Sequence, residues 1–273
     1  MRHIRHMERE NIILTFLGTG TSHGVPMIGC DCPTCRSDDP RDKRSNASLL
    51  VTVRGKNILI DCGRDFRQQA LRQGLKDVDY VLVTHTHFDH IAGLDDLRVY
   101  SRRERGPIPV LGHQEHLSYL KTYIFHYLFD GSAQLGGGLA DLELIALDSH
   151  FLLEGIMFEP LPVLHGRLRV LGYKFLNCAY ISDVSEIPES TLKQLYGLDV
   201  LIIDALRYRP HSTHLSLGQA LELIAELKPA KSYLTHIAHD MRHSELEEKL
   251  RDPDGGFYAP GVEPAYDGLT LDI

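Results

Sequence analysis

The stretch "THTHFDHIAG", Thr84 to Gly93, carries His85, His87, Asp89 and His90, four potential metal ligands in six residues. It follows "DYVLV", a short apolar run that reads as a strand, and leads into a turn bearing glycine. In extended backbone His85 and His87 point the same way, while Asp89 and His90 fall where the chain turns into a helix. A catalytic ion takes about three protein ligands, so four from a single loop point to two metals. The H-x-H-x-D-H spacing behind an apolar strand separates this segment from a solvated histidine run.

Three other strand-like runs end in matching chemistry: "PVLHG" with His165, "AYISD" with Asp183 and "YLTH" with His236. Further strands are expected at "NIILTFLG", "IMFEPLPVLH", "VLGYKF", "DVLIIDA" and "GLTLDI", and at "ASLLVTV" and "KNILIDCG" joined through Arg54 and Gly55. Helices are expected at "DFRQQALRQG", ending at Gly74, and at "GLDDLRVYSRRE". "QEHLSYLKTYIFHYLF" reads as a core-facing helix with Leu117, Leu120, Ile124 and Leu128 at helical spacing. Capping boxes are predicted at Ser216 and Gln219, ahead of "LGQALELIAELK", and at Ser244 and Glu247 in "HSELEEKLR". "AQLGGGLADLEL" reads as a glycine-rich loop without a phosphate-binding fingerprint. No linker divides residues 1–273, so one α/β domain is expected, with about a dozen strands in mixed sheets.

Composition narrows the class. Hydrophobic residues at 43% and charged residues at 24% of 273 are ordinary for an ordered globular chain. The formal charge of −8 argues against general nucleic-acid binding. Sixteen histidines favour metal chemistry. At the start, "MRHIRHMERENIILTFLGTG" holds only a short apolar run, Ile12 to Leu17, too short for a signal segment or a membrane span, so a cytoplasmic location is expected. In a reducing compartment, "CDCPTC" puts Cys30, Cys32 and Cys35 together as metal ligands rather than disulfide partners, leaving a tetrahedron one ligand short. Cys62 and Cys178 fall in strand-like segments and read as small buried hydrophobes.

The ligand pattern resembles that of the metallo-β-lactamase fold hydrolases, and the resemblance runs from "FLGTGTSHGVP" to "AYDGLTLDI". It implies a four-layer αββα sandwich with metals at one edge of the two sheets. On that resemblance His85, His87 and His165 hold one ion, Asp89, His90 and His236 hold a second, and Asp183 bridges them. Asp61, in "LIDCG", matches an acidic residue behind the site that orients a ligand histidine. Two divalent ions, zinc or manganese or iron, then share a water and ionise it near neutral pH.

Local features point to one branch. In "RPHSTHLSLGQALELI", His214 stands two residues ahead of the capping Ser216 and resembles the histidine of the tRNase Z and cyclic phosphodiesterase branch that assists the leaving oxygen; His211 competes for the role. The cysteine motif is similar to that of the PhnP-like phosphoribosyl cyclic phosphodiesterases, and the resemblance implies a structural zinc completed by His239, three residues beyond His236. The expected activity is hydrolysis of small cyclic phosphates, a ribose 1,2-cyclic phosphate or a nucleoside 2′,3′-cyclic phosphate, by a metal-bound hydroxide, with Asp89 and His214 in the reaction centre. Arg64, Arg167, Arg169, Arg207 and Arg209 are candidate phosphate contacts. The expected partner is a small phosphodiester, with no stable nucleic-acid complex and no membrane; the oligomeric state is left open, a homodimer being one option. The competing expectations are a non-catalytic scaffold like the PqqB protein of pyrroloquinoline quinone synthesis, and a tRNA 3′-processing endonuclease.

Overall fold

The computed structural model describes residues 12–101, 106–132 and 138–273. The first eleven residues, Arg102 to Glu104 of one expected helix and part of the expected glycine-rich loop lie outside the described residues.

Two seven-stranded sheets face each other. The first joins β1 (Ile12–Gly18), β2 (Ser48–Val53), β3 (Lys56–Ile60), β4 (Tyr80–Leu82), β5 (Ile108–Gly112), β6 (Leu142–Ala146) and, beyond β1, β14 (Thr270–Asp272). The second joins, in chain order, β7 (Phe151–Leu153), β8 (Ile156–His165), β9 (Leu168–Phe175), β10 (Cys178–Ile181), β11 (Val200–Asp204), β12 (Lys231–Thr235) and β13 (Val262–Pro264). Both are mixed: antiparallel hairpins in one half pass into parallel pairs, β3 to β6 in the first sheet and β10 to β13 in the second. Arg54 and Gly55 both take positive φ, which gives the β2–β3 turn the hand that suits twisted strands.

The helices are α1 (Phe66–Gln73), α2 (Phe88–Ile91), α3 (Arg98–Ser101), α4 (Gln114–Tyr119), α5 (His126–Phe129), α6 (Glu189–Leu192), α7 (Leu217–Leu227) and α8 (His243–Arg251). Three apolar seams make the layers. Phe16, Leu49, Ile58, Phe158, Tyr173, Tyr180 and Ile202 fill the gap between the sheets. Phe66, Leu94 and Leu117 pack on the outer face of the first sheet, and Leu217, Ile224 and Leu246 on that of the second. Each such side chain contributes about 1.5–3 kcal/mol by leaving water. The arrangement is the expected αββα sandwich. Among the described residues no helix is long and apolar enough to cross a membrane.

Some local expectations change. "QEHLSYLKTYIFHYLF" is not one helix: α4 gives way to a π-helical stretch at Leu120–Ile124 and then to α5, with Leu117 and Leu120 buried and Ile124 and Leu128 half-buried. The segment "GLDDL" winds as a 3₁₀ helix before α3. The end of the glycine-rich loop, "LEL", is the start of β6, an edge strand with only alternate residues covered, and β5 and β7 carried no prior assignment. The Ser216–Gln219 box on α7 forms. The Ser244–Glu247 box does not: α8 is capped two residues earlier, at Arg242, and starts at His243, whose amide donates to the buried Asp42 carboxylate at 2.7 Å, while Glu247 instead pairs with Arg41 and Arg251.

Candidate metal centre

Strand ends converge at one edge of the sandwich. His85 and His87 lie in the loop after β4, Asp89 and His90 on α2, and His165 ends β8. Asp183 follows β10 by two residues, Asp204 ends β11 and His236 directly follows β12. Because β10, β11 and β12 run parallel, their C-terminal ends deliver Asp183, Asp204 and His236 side by side. The α2 loop sits close against its neighbours: a Cβ on Gly63 would fall 1.9 Å from the Asp89 carbonyl oxygen, which leaves room for glycine alone. Asp61 and His236 adopt left-handed backbone, φ 64° and 57°, a costly geometry of the kind that concentrates at functional sites.

Ligand atoms of His85, His87, His165 and Asp183 lie within 4.8 Å of one another, as do those of Asp89, His90 and His236, and those of Asp183, His214 and His236. Asp183 thus adjoins both histidine sets: its Oδ1 is 3.2 Å from His90 Nε2 and its Oδ2 3.5 Å from His236 Nε2. The far sides of three of the rings are engaged elsewhere. His90 Nδ1 donates to Asp61 Oδ2 at 2.7 Å, and His165 Nδ1 donates to the Thr213 carbonyl at 2.6 Å. His85 Nδ1 donates to Thr84 Oγ1 at 3.0 Å, and that hydroxyl donates to Asp61 Oδ2. These bonds turn Nε2 of each ring into the cavity as a lone-pair donor.

The donors fit divalent cations. His90 Nε2, both ring nitrogens of His236 and Asp183 Oδ1 are buried without a hydrogen-bond partner among the described residues. Stranding that many polar atoms in a core is costly unless a cation engages them. The titration behaviour agrees: burial works against the carboxylate at Asp183, but the neighbouring His236 and His90 hold it far below its usual range. Burial also disfavours charge on His236, yet Asp183, Asp89 and Asp204 raise it to about 9. A cluster that already favours positive charge opposite its carboxylates is suited to metal ions.

His214 borders the cluster, with Nε2 3.8 Å from Asp183 Oδ2 and the ring stacked 4.7 Å from that of His236. Its Nδ1 donates to Asp204 Oδ2 at 2.8 Å, where the Val184 amide also donates. Asp204 was not anticipated. It closes an apolar run as Asp183 does in the sequence, which is the one local signal that could have marked it. Burial, then the charge on His236, pushes His214 down to about 4, so the ring is neutral at pH 7 with Nε2 facing the site. His211 stands farther out, 5.3 Å from His214 between ring centres.

Two cavities open onto the cluster. One of about 310 Å³ is lined by His23, Arg207, His211 and His214; the other, about 480 Å³, by His23, Ile28, Arg64, Phe88 and Asp89. Arg207 spends its guanidinium on the carbonyls of Arg209 and Pro210, and Arg64 donates to the Ser22 carbonyl. Arg169 offers its carbonyl to His116.

Behind this wall lies the second cluster. His239 Nδ1 is 3.2, 3.4 and 3.7 Å from the sulfurs of Cys30, Cys32 and Cys35. Burial resists a thiolate at Cys32, but the Cys35 amide and His239 bring it down to about 6, while burial takes Cys35 up to about 11. Three sulfurs and one imidazole suit a closed tetrahedral zinc site. Cys62 and Cys178 are buried in apolar surroundings.

Comparison with known proteins identifies the family and the fold. The Beta-lactamase superfamily domain matches residues 56–237. A solved diphosphatase of the PhnP family is 39% identical, covers 96% of this chain and 97% of its own, and superposes with a TM-score of 0.87. An octanoyltransferase of Porphyromonas gingivalis is 39% identical over 94% of this chain, and a ribonuclease Z of Methanopyrus kandleri is 34% identical over 44% of it. The chain spans 51% of the first of these two relatives and 40% of the second.

Proposed function

The chain belongs to the beta-lactamase superfamily and is built as a metal-dependent hydrolase, and from that premise we propose that it is a dinuclear phosphodiesterase acting on small cyclic phosphate esters. The observation that carries the reading is the set of seven donors, six of them buried and His87 exposed, converging with unpaired atoms beside an Asp204–His214 pair aimed into the same space. His85, His87 and His165 would hold one ion, Asp89, His90 and His236 the other, and Asp183 both. Zinc or manganese suits this nitrogen and oxygen donor set, iron also. When bound, two such ions supply positive charge for a phosphoryl oxygen and acidify a water.

The protein's own groups do the rest. Asp61 and Thr213 fix the tilt of His90 and His165, so the ligand rings meet substrate already oriented. Asp204 holds His214 with its Nε2 lone pair inward. A neutral His214 accepts a proton from the attacking water and returns it to the departing ribose oxygen, which leaves poorly as a bare alkoxide. Burial keeps the ring uncharged, so it takes up a proton before it gives one to the leaving oxygen. Arg64 and Arg207 line the two approaches and can turn towards a phosphate.

The charge of −8 makes a long polyanion a poor partner and favours a small phosphodiester, which sets the tRNA-processing alternative behind. The complete ligand set weighs against a non-catalytic scaffold. The octanoyltransferase name attaches to a protein about twice this length and is not carried to the chain. The test is the metal-loaded protein against 2′,3′-cyclic nucleotides, a ribose 1,2-cyclic phosphate, bis(p-nitrophenyl) phosphate, an octanoyl thioester and a lactam. Turnover of the phosphates is expected; turnover confined to the thioester or lactam would sink the reading.

A further inference from the structure

The ring of His116, on α4, lies between two halves of one ligand set. It is 6% exposed and has no role in the site as described so far. Its Nε2 is 2.8 Å from the Arg169 carbonyl oxygen. A carbonyl only accepts, so Nε2 carries the hydrogen. Burial lowers the ring's affinity for a second proton, which leaves Nδ1 as an acceptor, and Thr86 Oγ1 faces it at 3.4 Å.

Both partners adjoin metal-ligand positions, one along the chain and one across a strand pair. Thr86 stands between His85 and His87. Arg169 lies on β9 opposite Leu164, the residue before His165. His85 and His87 belong to the loop rooted in the first sheet, and His165 to a hairpin of the second. The ring therefore spans from one sheet to the other at the point where a three-histidine set must close on a single ion.

Two bonds already seal the seam at its root: the Leu171 amide donates to the Thr84 carbonyl at 3.1 Å, and the Tyr173 hydroxyl to the Val83 carbonyl at 2.7 Å. His116 extends the seam past Thr84 to the middle of the H-x-H pair. Its own helix is anchored at the start, where His113 Nδ1 accepts from the Glu115 amide at 3.3 Å.

We propose that His116 is a positioning residue that sets the spacing between the His85–His87 pair and His165, and with it the affinity of that set for its ion. The proposal rests on the metal-ligand assignment made above. Groups hydrogen-bonded behind a metal site commonly change affinity by about 10–100-fold when removed, and His116 acts one step further back, through Thr86 and the backbone of the hairpin.

The test uses the full chain, loaded with zinc and dialysed against graded chelator-buffered zinc, with zinc per protein measured by mass spectrometry. His116→Leu keeps an apolar packing volume and deletes both hydrogen bonds. It is expected to release one histidine-held ion at about 10-fold higher free zinc than the wild type, with the cysteine-held zinc unchanged. His116→Gln, whose amide can donate to Arg169 and accept from Thr86, should return most of the difference. Thr86→Val removes the hydroxyl alone and should move retention the same way by a smaller factor, and it decides the matter if His116→Leu does not fold. Wild-type zinc retention in His116→Leu, with only a lower Tm, would reduce His116 to a packing residue and overturn the proposal. A wild-type protein that holds no zinc beyond the cysteine site would instead overturn the ligand assignment beneath it.

Discussion

The histidine–aspartate cluster and the cysteine–histidine cluster share one turn, residues 236–239, and differ in almost everything else. The first draws its donors from four separate segments, the loop and helix after β4 and the ends of three further strands, and buries all but His87; the second takes three of four from one short loop and leaves Cys30 and Cys32 half-exposed. Charge separates them further. Two carboxylates among imidazoles would leave two divalent ions under-neutralised, so the first cluster, once loaded as proposed, would attract an anion. Three thiolates over-neutralise a single zinc, so the second attracts nothing and closes. On the proposed reading one site would act on a phosphate, and the other would brace the turn that carries His236.

The largest expected effect separates the two directly. Asp183→Ala removes the donor common to both histidine sets and should lower turnover by about 10³-fold or more, with loss of the cluster's ions and retention of the cysteine-held zinc. Metal analysis and phosphodiester kinetics on the same sample check it. If the cysteine zinc left as well, the two sites would be one cooperative unit and the contrast drawn above would fail.

Next comes the proton path. His214→Ala should keep all metals and lose about 10²-fold in turnover, most on substrates with poor leaving groups. Asp204→Asn should follow with a smaller loss, because the ring keeps a partner but of the wrong polarity. Equal losses for nitrophenolate and ribose leaving groups would remove His214 from the leaving-group step.

Cys32→Ser tests the brace from the other side. One tightly held zinc should disappear, and stability should fall by about 3 kcal/mol, read as a drop of several degrees in Tm. Turnover should fall only several-fold, through a loosened His236. His239→Ala should also lose the zinc, and normal zinc content there would assign the fourth ligand elsewhere.

The same contrast explains what could be read in advance. "THTHFDHIAG" is local, so its ligands show in sequence spacing, and "CDCPTC" is equally local. His165, Asp183 and His236 showed because each ends an apolar run. Asp204 ends one too, in "DVLIIDA", yet its role appears only once the parallel β10, β11 and β12 bring their ends together. His116 gave no signal, since its partners are a hydroxyl and a carbonyl from two different sheets. The start of α8 misled for the converse reason: a plausible local box at Ser244 loses to Asp42, about two hundred residues earlier in the chain.

That remote contact gives the smallest prediction and ties acid sensitivity to the brace. Arg44 is fully buried and donates from Nη2 to His243 Nδ1 at 3.0 Å, while its backbone pairs with Val25 at the base of the cysteine loop. Burial first, then the charges of Arg44 and Arg41, pushes His243 down to about 4. Unfolded, the same ring titrates near about 6.5. The folded value is therefore the lower one, and the neutral ring contributes fully above pH 6.5 and progressively less as pH falls towards 4. His243→Gln keeps an acceptor for Arg44 and cannot take up a proton. Its stability at pH 8 should stay within about 1 kcal/mol of the wild type, while its decline between pH 6.5 and 4 should be shallower by up to about 3 kcal/mol. Denaturant titrations of both proteins across that window check it, because the difference between them cancels any loss of metal ions that both suffer in acid. Parallel acid limbs would mean that His243 holds its proton balance in folded and unfolded chain alike, and that acid reaches the brace through the thiolates alone.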